Sequence, residues 1–110
     1  MAAEDLSELE VDLDGFASAY AAGAVVLDVR NPDEYEAGHV PGAKLIPLPQ
    51  LGARRDEIPE GDPIYVICAT GVRSLTAAKA MVQAGYRAVS VAGGTKGWIG
   101  QGHPFDLGRE

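Results

Sequence analysis

Cys68 is the only cysteine in a chain of 110 residues, and its neighbours make it a candidate nucleophile. An apolar stretch, Pro63-Ile64-Tyr65-Val66-Ile67, leads into Cys68-Ala69-Thr70-Gly71-Val72-Arg73-Ser74, and Leu75-Thr76-Ala77-Ala78-Lys79-Ala80-Met81-Val82 leads out. Read as strand, glycine-bearing turn and helix start, this segment forms a cradle in which backbone N–H groups gather around an anion. A free thiol titrates at about 8.5, so only a small fraction is thiolate near neutrality. Inward amides, a helix N-terminus and the Arg73 cation all favour the charged form, which is the reactive one. Gly71 allows the loop to close tightly. Arg73 is the best local donor for a sulfonate- or sulfate-like group, with the Thr70 and Ser74 hydroxyls as secondary donors.

The competing reading of a lone cysteine at a strand end is an inert core residue. The Gly71 and Arg73 context is what argues against it. Other polar residues read as structural. Asp28 and Arg30 form a polar pair or bond the loop backbone. His39 precedes a Pro-Gly turn and acts as a hydrogen-bonder there, and His103 is exposed. Gly93-Gly94 and Trp98 turn and pack the C-terminal region, with Trp98 at the pocket border as the alternative. Lys44 and Lys96 are cations that could stand at an entrance.

Composition bounds the rest. One domain is expected at this length. The net charge of −7 argues against nucleic acid as a partner, because phosphate binding needs a basic face. An anion site here must therefore rest on local amides and one or two cations. A single cysteine forms no internal disulfide, and no Cys/His cluster suggests a metal. The acidic start, Met1-Ala2-Ala3-Glu4-Asp5-Leu6-Ser7-Glu8, lacks the apolar core of a signal peptide, and no apolar run reaches membrane-spanning length. A cytoplasmic, reducing location is the expectation, where a lone thiol stays free.

The elements that must position Cys68 follow from pattern. A flexible N-terminus is expected over 1–8, one domain over 9–105 and a frayed tail over 106–110. Residues 9–11 read as a short edge strand. A helix is expected over 15–22, capped by Asp12 or Asp14 and ended by Gly23. The β-branched run 24–29 reads as a buried parallel strand. Asn31-Pro32-Asp33-Glu34 opens a short helix with a capping-box spacing and Pro at its first position, and Gly38 stops it. Strands are further expected at 44–46, 63–67 and 88–91, with helical pieces at 51–56, at 74–82 ending near Gly85, and around Trp98. Alternating strands and helices predict an α/β fold, a parallel sheet covered on both faces. In such sheets the ligand site lies beyond the carboxyl ends of the strands, where Cys68 falls. The order of strands is not legible in the pattern.

Three segments together resemble the rhodanese-like (thiosulfate sulfurtransferase) single-domain family. Val26-Leu27-Asp28-Val29-Arg30, Glu34-Tyr35 and Gly38-His39-Val40-Pro41-Gly42-Ala43 look like its first signature. Tyr65-Val66-Ile67-Cys68 with Gly71, Arg73 and Ser74 looks like its catalytic loop. Gly93-Gly94, Trp98, Gly102 and Pro104 look like its C-terminal signature. The resemblance implies a small parallel sheet flanked by helices. It implies transfer of the outer sulfur of thiosulfate, or of a persulfide donor, to Cys68, and from there to a thiophilic acceptor such as cyanide or a thiol. By the same resemblance Cys68 carries the sulfur and residues 69–74 (Ala69, Thr70, Gly71, Val72, Arg73 and Ser74) bind it, with Asp28, Arg30 and His39 in support and no metal or organic cofactor. The related dual-specificity phosphatases have one more residue between cysteine and arginine, so the shorter loop here resembles the sulfur-transferring branch. Family loops often carry a polar or basic residue after the cysteine; Ala69 departs from that and leaves a less positive pocket. The implied alternative is a carrier or interaction module that takes sulfur from a protein and turns over little thiosulfate.

Overall fold

The computed structural model describes residues 9–108. Five strands form one all-parallel sheet: β1 (Glu10–Val11), β2 (Val25–Asp28), β3 (Lys44–Leu45), β4 (Ile64–Ile67) and β5 (Ala88–Val91). Their spatial order is β1-β5-β4-β2-β3, so β4 lies at the centre. Four helices cover the sheet: α1 (Leu13–Ala21), α2 (Pro32–Ala37), α3 (Val72–Gln83) and α4 (Gly94–Gly100). The expected α/β architecture is therefore the observed one.

The two-residue period of the strands divides the core. Leu27, Val29, Ile64, Val66 and Ala88 pack against Ala77, Ala78 and Met81 of α3. Val26, Ile67 and Val91 face the opposite way and pack with Phe16 of α1, Tyr35 of α2 and Trp98 of α4. Cys68 follows the same alternation. It continues the row of Ile64 and Val66 and so lies on the α3 side, beneath that helix's N-terminus.

Several boundaries differ from the sequence reading. Helix α1 starts at Leu13 because Asp12 is its N-cap, accepting from the Gly15 N–H at 2.8 Å. Helix α3 starts at Val72, two residues before the expected Ser74, so Arg73 lies in its first turn. The single helical piece expected over 51–56 is instead two 3₁₀ turns, Leu48–Gln50 and Arg55–Glu57. The frayed tail expected beyond 105 is tied down to the last described residue. Asp106 exchanges two backbone hydrogen bonds with His39 (2.9 and 3.0 Å), and the Gly108 N–H donates to the Glu36 carbonyl at 2.8 Å. The expected flexible N-terminus, residues 1–8, lies outside the described residues, as do 109–110.

Candidate active site

The Cys68 sulfur is the floor of the loop. The residue is 1% exposed, while Thr70 and Val72 on the rim are exposed and Ala69 and Arg73 are half-buried. Sγ accepts from the Gly71 N–H at 3.1 Å and the Ser74 N–H at 3.3 Å, and lies 3.4 Å from Ser74 Oγ. Gly71 caps α3 with φ +109°, a left-handed conformation that glycine tolerates and that turns its amide inward. Ser74 is the third residue of α3, so its N–H is one of the amides a helix start leaves without an internal partner. Burial pushes the Cys68 thiol up. Hydrogen bonds from the Ser74 hydroxyl and from the amides of Ser74, Gly71 and Thr70 outweigh it, and the net direction is down.

The amides point inward because the carbonyls are held from the other side. Thr95 N–H donates to the Cys68 carbonyl (2.8 Å), Lys96 N–H to that of Ala69 (3.0 Å) and Gly93 N–H to that of Thr70 (3.2 Å). The start of α4 thus grips three consecutive peptide units of the loop. That close approach needs glycine. Gly94 has φ +59°, and a Cβ there would stand 2.5 Å from the Ala69 carbonyl oxygen and nearer still to that of Cys68. The sequence reading gave Gly93-Gly94 a turn-making role; the structure adds that Gly94 lets two backbones meet.

Arg73 is paired with a carboxylate of α2. Its two terminal nitrogens donate to the two carboxylate oxygens of Glu34, each at 2.8 Å. Hydrogen bonds from the Arg73 guanidinium hold the Glu34 carboxyl down from the ordinary 4.5 to about 2. A depressed carboxyl stabilises the fold above its unfolded value, and that contribution fades as pH falls from about 4.5 toward about 2. Glu34 also accepts from the Asn31 N–H at 3.1 Å, in line with the expected capping box. The sequence showed Glu34 only as a cap; its second role joins residues 39 positions apart and has no local signal.

Asp28 and Arg30 are the buried polar pair that the sequence suggested. Arg30 Nε and Nη2 donate to the Asp28 carboxylate at 2.8–3.1 Å, and Nη2 also donates to the Gly38 carbonyl at 2.9 Å. Arg30 immediately precedes the Asn31 cap of α2, and Gly38 closes that helix. One guanidinium therefore ties the C-terminal end of α2 to Asp28 of β2. His39 is structural: its Nδ1 lies 2.8 Å from the Tyr35 carbonyl and its ring stacks on Tyr35 at 3.6 Å between centroids.

Trp98 packs in the core cluster on the other face of the sheet from Cys68. It packs edge-on against Phe16 and Tyr20 and donates its indole N–H to Pro104. His103, expected to be merely exposed, stacks on Trp98 at 4.2 Å. Lys44 lies 3.6 Å from Glu57, whereas Lys96 stands beside the loop through its backbone, with its side chain exposed. A cavity of about 500 Å³ beside α2 and β3, lined by Pro32, Tyr35, Leu45, Pro47, Gln50 and Arg54 among others, shares no residue with the loop. Convergence of donors on Sγ marks the site. Such a site can hold a thiolate, or a sulfur attached to it, by several short dipoles at once.

Residues 12–101 match the family described as Rhodanese-like domain. A Bacillus subtilis protein named as a candidate sulfur carrier, YrkF, is 43% identical over 77 residues, 69% of this chain and 42% of that one. A sulfurtransferase of Allochromatium vinosum is 32% identical over 82 residues, 74% of this chain and 77% of that protein. The crystal structure of a rhodanese-related protein from Thermoplasma volcanium superposes with a TM-score of 0.83 at 31% identity, covering 90% of this chain and 98% of that one. The chain spans less than two thirds of two Bacillus subtilis relatives, 42% of YrkF and 63% of YqhL.

Proposed function

Since this chain belongs to the rhodanese-like domain family, whose relatives include sulfurtransferases, we propose that it carries sulfur as a persulfide on Cys68. The Cys68 thiolate attacks the outer sulfur of a donor, thiosulfate or a persulfide. A new S–S bond forms, the donor's S–S bond breaks, and its electron pair leaves with sulfite or with the donor thiolate. A thiophilic acceptor, cyanide or a thiol, then attacks the terminal sulfur. The persulfide bond breaks and its electron pair returns to Cys68, so no outside oxidant or reductant is consumed. The observation that carries this reading is the convergence of two amides and a hydroxyl on one sulfur atom. The same donors that favour the thiolate hold the anionic terminal sulfur, which lies only about 2 Å further out. A reducing, cytoplasmic setting fits a cysteine that must stay free between turnovers.

Intact mass tests the proposal directly. After incubation with thiosulfate or a low-molecular-weight persulfide the protein gains one sulfur atom, cyanide removes it, and the Cys68→Ser variant gains none. An unchanged wild-type mass with both donors sinks the reading.

The carrier reading, with little thiosulfate turnover, has its own support in the Glu34–Arg73 pair. The loop's cation is neutralised, so a dianionic donor meets little net attraction. Glu34→Gln keeps an acceptor for the Asn31 N–H and removes the charge. We expect kcat/KM for thiosulfate to rise by about tenfold, the size of one partly screened charge interaction, with a smaller rise for a singly charged persulfide donor. Steady-state assays with both donors decide it: equal changes for the two would remove the electrostatic argument.

A further inference from the structure

Strand β5 reads Ala88-Val89-Ser90-Val91, and its even-numbered residues face α3. Ser90 stands in register with Val66, which stands in register with Leu27. Ser90 is fully buried, in register with Val66 of β4 on one side and with Glu10 of β1 on the other. A hydroxyl in such a place is costly unless it is hydrogen-bonded. Its partner is Ser74 Oγ, at 2.7 Å, and Ser74 Oγ is in turn 3.4 Å from the Cys68 sulfur.

The direction of this chain follows from counting protons. A hydroxyl has one proton to donate, and a thiolate can only accept. When Cys68 is ionised, the Ser74 proton must point at Sγ. The contact between the two serines can then be made only by the Ser90 proton. We infer that Ser90 is a positioning residue of this site: it donates to Ser74 Oγ and thereby holds the Ser74 hydroxyl as a donor to the Cys68 thiolate. This rests on the reading that Cys68 reacts as an anion. Donors in series also polarise one another, so loss of Ser90 weakens the Ser74 bond as well as loosening it.

The other groups that face the sulfur are accounted for. Arg73 of α3 acts on it as a charge and is itself paired with Glu34 of α2. The start of α4 contributes amides to the loop carbonyls, and its Lys96 side chain is exposed to solvent. From β2, Asp28 is neutralised by Arg30, and from β1 Glu10 stands in register with Ser90. Ser90 is what β5 adds.

The test is the pH dependence of thiolate ultraviolet absorbance and of iodoacetamide alkylation of Cys68, in wild type, Ser74→Ala, Ser90→Ala and the double variant. Loss of one hydrogen bond to the anion in Ser74→Ala moves the midpoint up by about one pH unit. Ser90→Ala moves it up by roughly half as much, acting at one remove. The double variant matches Ser74→Ala, and Ser90→Thr, which restores a hydroxyl, returns to the wild-type midpoint. Ser90→Val, which has the shape of Ser90→Thr without its hydroxyl and favours the strand, replaces Ser90→Ala if the melting curve shows that the alanine variant is unfolded. A Ser90 deletion with the wild-type midpoint, or one whose shift persists in full on the Ser74→Ala background, overturns the inference. A normal series of midpoints in a protein that takes up no sulfur from any donor would instead refute sulfur transfer and leave the Ser90 role standing.

Discussion

Gly94→Ala will cost the protein most of its sulfur uptake and a large part of its stability together. Gly94 has φ +59°, and an added Cβ would fall well inside the 3.0 Å that real Cβ atoms keep, against the carbonyl oxygens of Cys68 and Ala69. Those are the same carbonyls that accept from Thr95 and Lys96. The clash is with backbone on both sides, so no flexible side chain can relieve it. Left-handed strain of roughly 1–2 kcal/mol and overpacking of about 1–3 kcal/mol add to about 3 kcal/mol. In a domain of this size the melting temperature falls by about 10 °C or more. The loop relaxes away from α4, its amides lose their common aim, and the persulfide forms at least about tenfold more slowly. Thermal denaturation and the rate of sulfur uptake measure the two halves. A variant that melts and reacts as wild type would mean that the grip of α4 does not set the loop.

Asp28→Ala has the second large effect, through a different mechanism. Asp28 is fully buried and Arg30 is 5% exposed, so removal of the carboxylate leaves a guanidinium in the interior with the Gly38 carbonyl as its hydrogen-bond acceptor among the described residues. Breaking a buried pair from one side costs about 3–5 kcal/mol, much more than the pair itself contributes. Replacing both partners, Asp28→Leu with Arg30→Met, removes the stranded charge and recovers much of that loss. Activity separates the two roles of Arg30. If its tie to the C-terminal end of α2 sets Glu34 opposite Arg73, the double variant regains denaturant resistance but shows the donor preference of Glu34→Gln. Denaturant midpoints for the single and double variants decide the stability claim, and a single variant as stable as wild type would contradict it.

The neighbourhood of Cys68 was legible in part because its signals are local. An apolar strand, a glycine needed at a left-handed turn and a helix start lie in one continuous stretch, and their chemistry follows from that order. The capping box of α2 was legible for the same reason. What escaped was every link between distant segments. Arg73 looked free because Glu34 lies far off in the chain. Ser90 had no reading of its own within the strand expected at 88–91; its one signal was a hydroxyl among apolar sequence neighbours. The tail looked frayed because polar and glycine residues dominate it, yet its backbone pairs with His39 and Glu36. The extra helical residues at the start of α3 follow from Gly71, which caps the helix two positions earlier than side-chain pattern suggested.

Residue types and short-range spacing determined that this chain builds alternating strands and helices, and that its single thiol sits where amides and a helix start can meet it. Both facts depend on interactions within a few residues, which the chain's order already contains. Only the tertiary structure decided that α4 turns the loop inward, that Glu34 pairs with Arg73 beside the sulfur, and that Ser90 backs Ser74. Those depend on the strand order β1-β5-β4-β2-β3, which brings β5 beside β4 and β2 on its other side. Parallel strands joined by helices can be laid side by side in several orders, and the packing of both sheet faces at once selects among them.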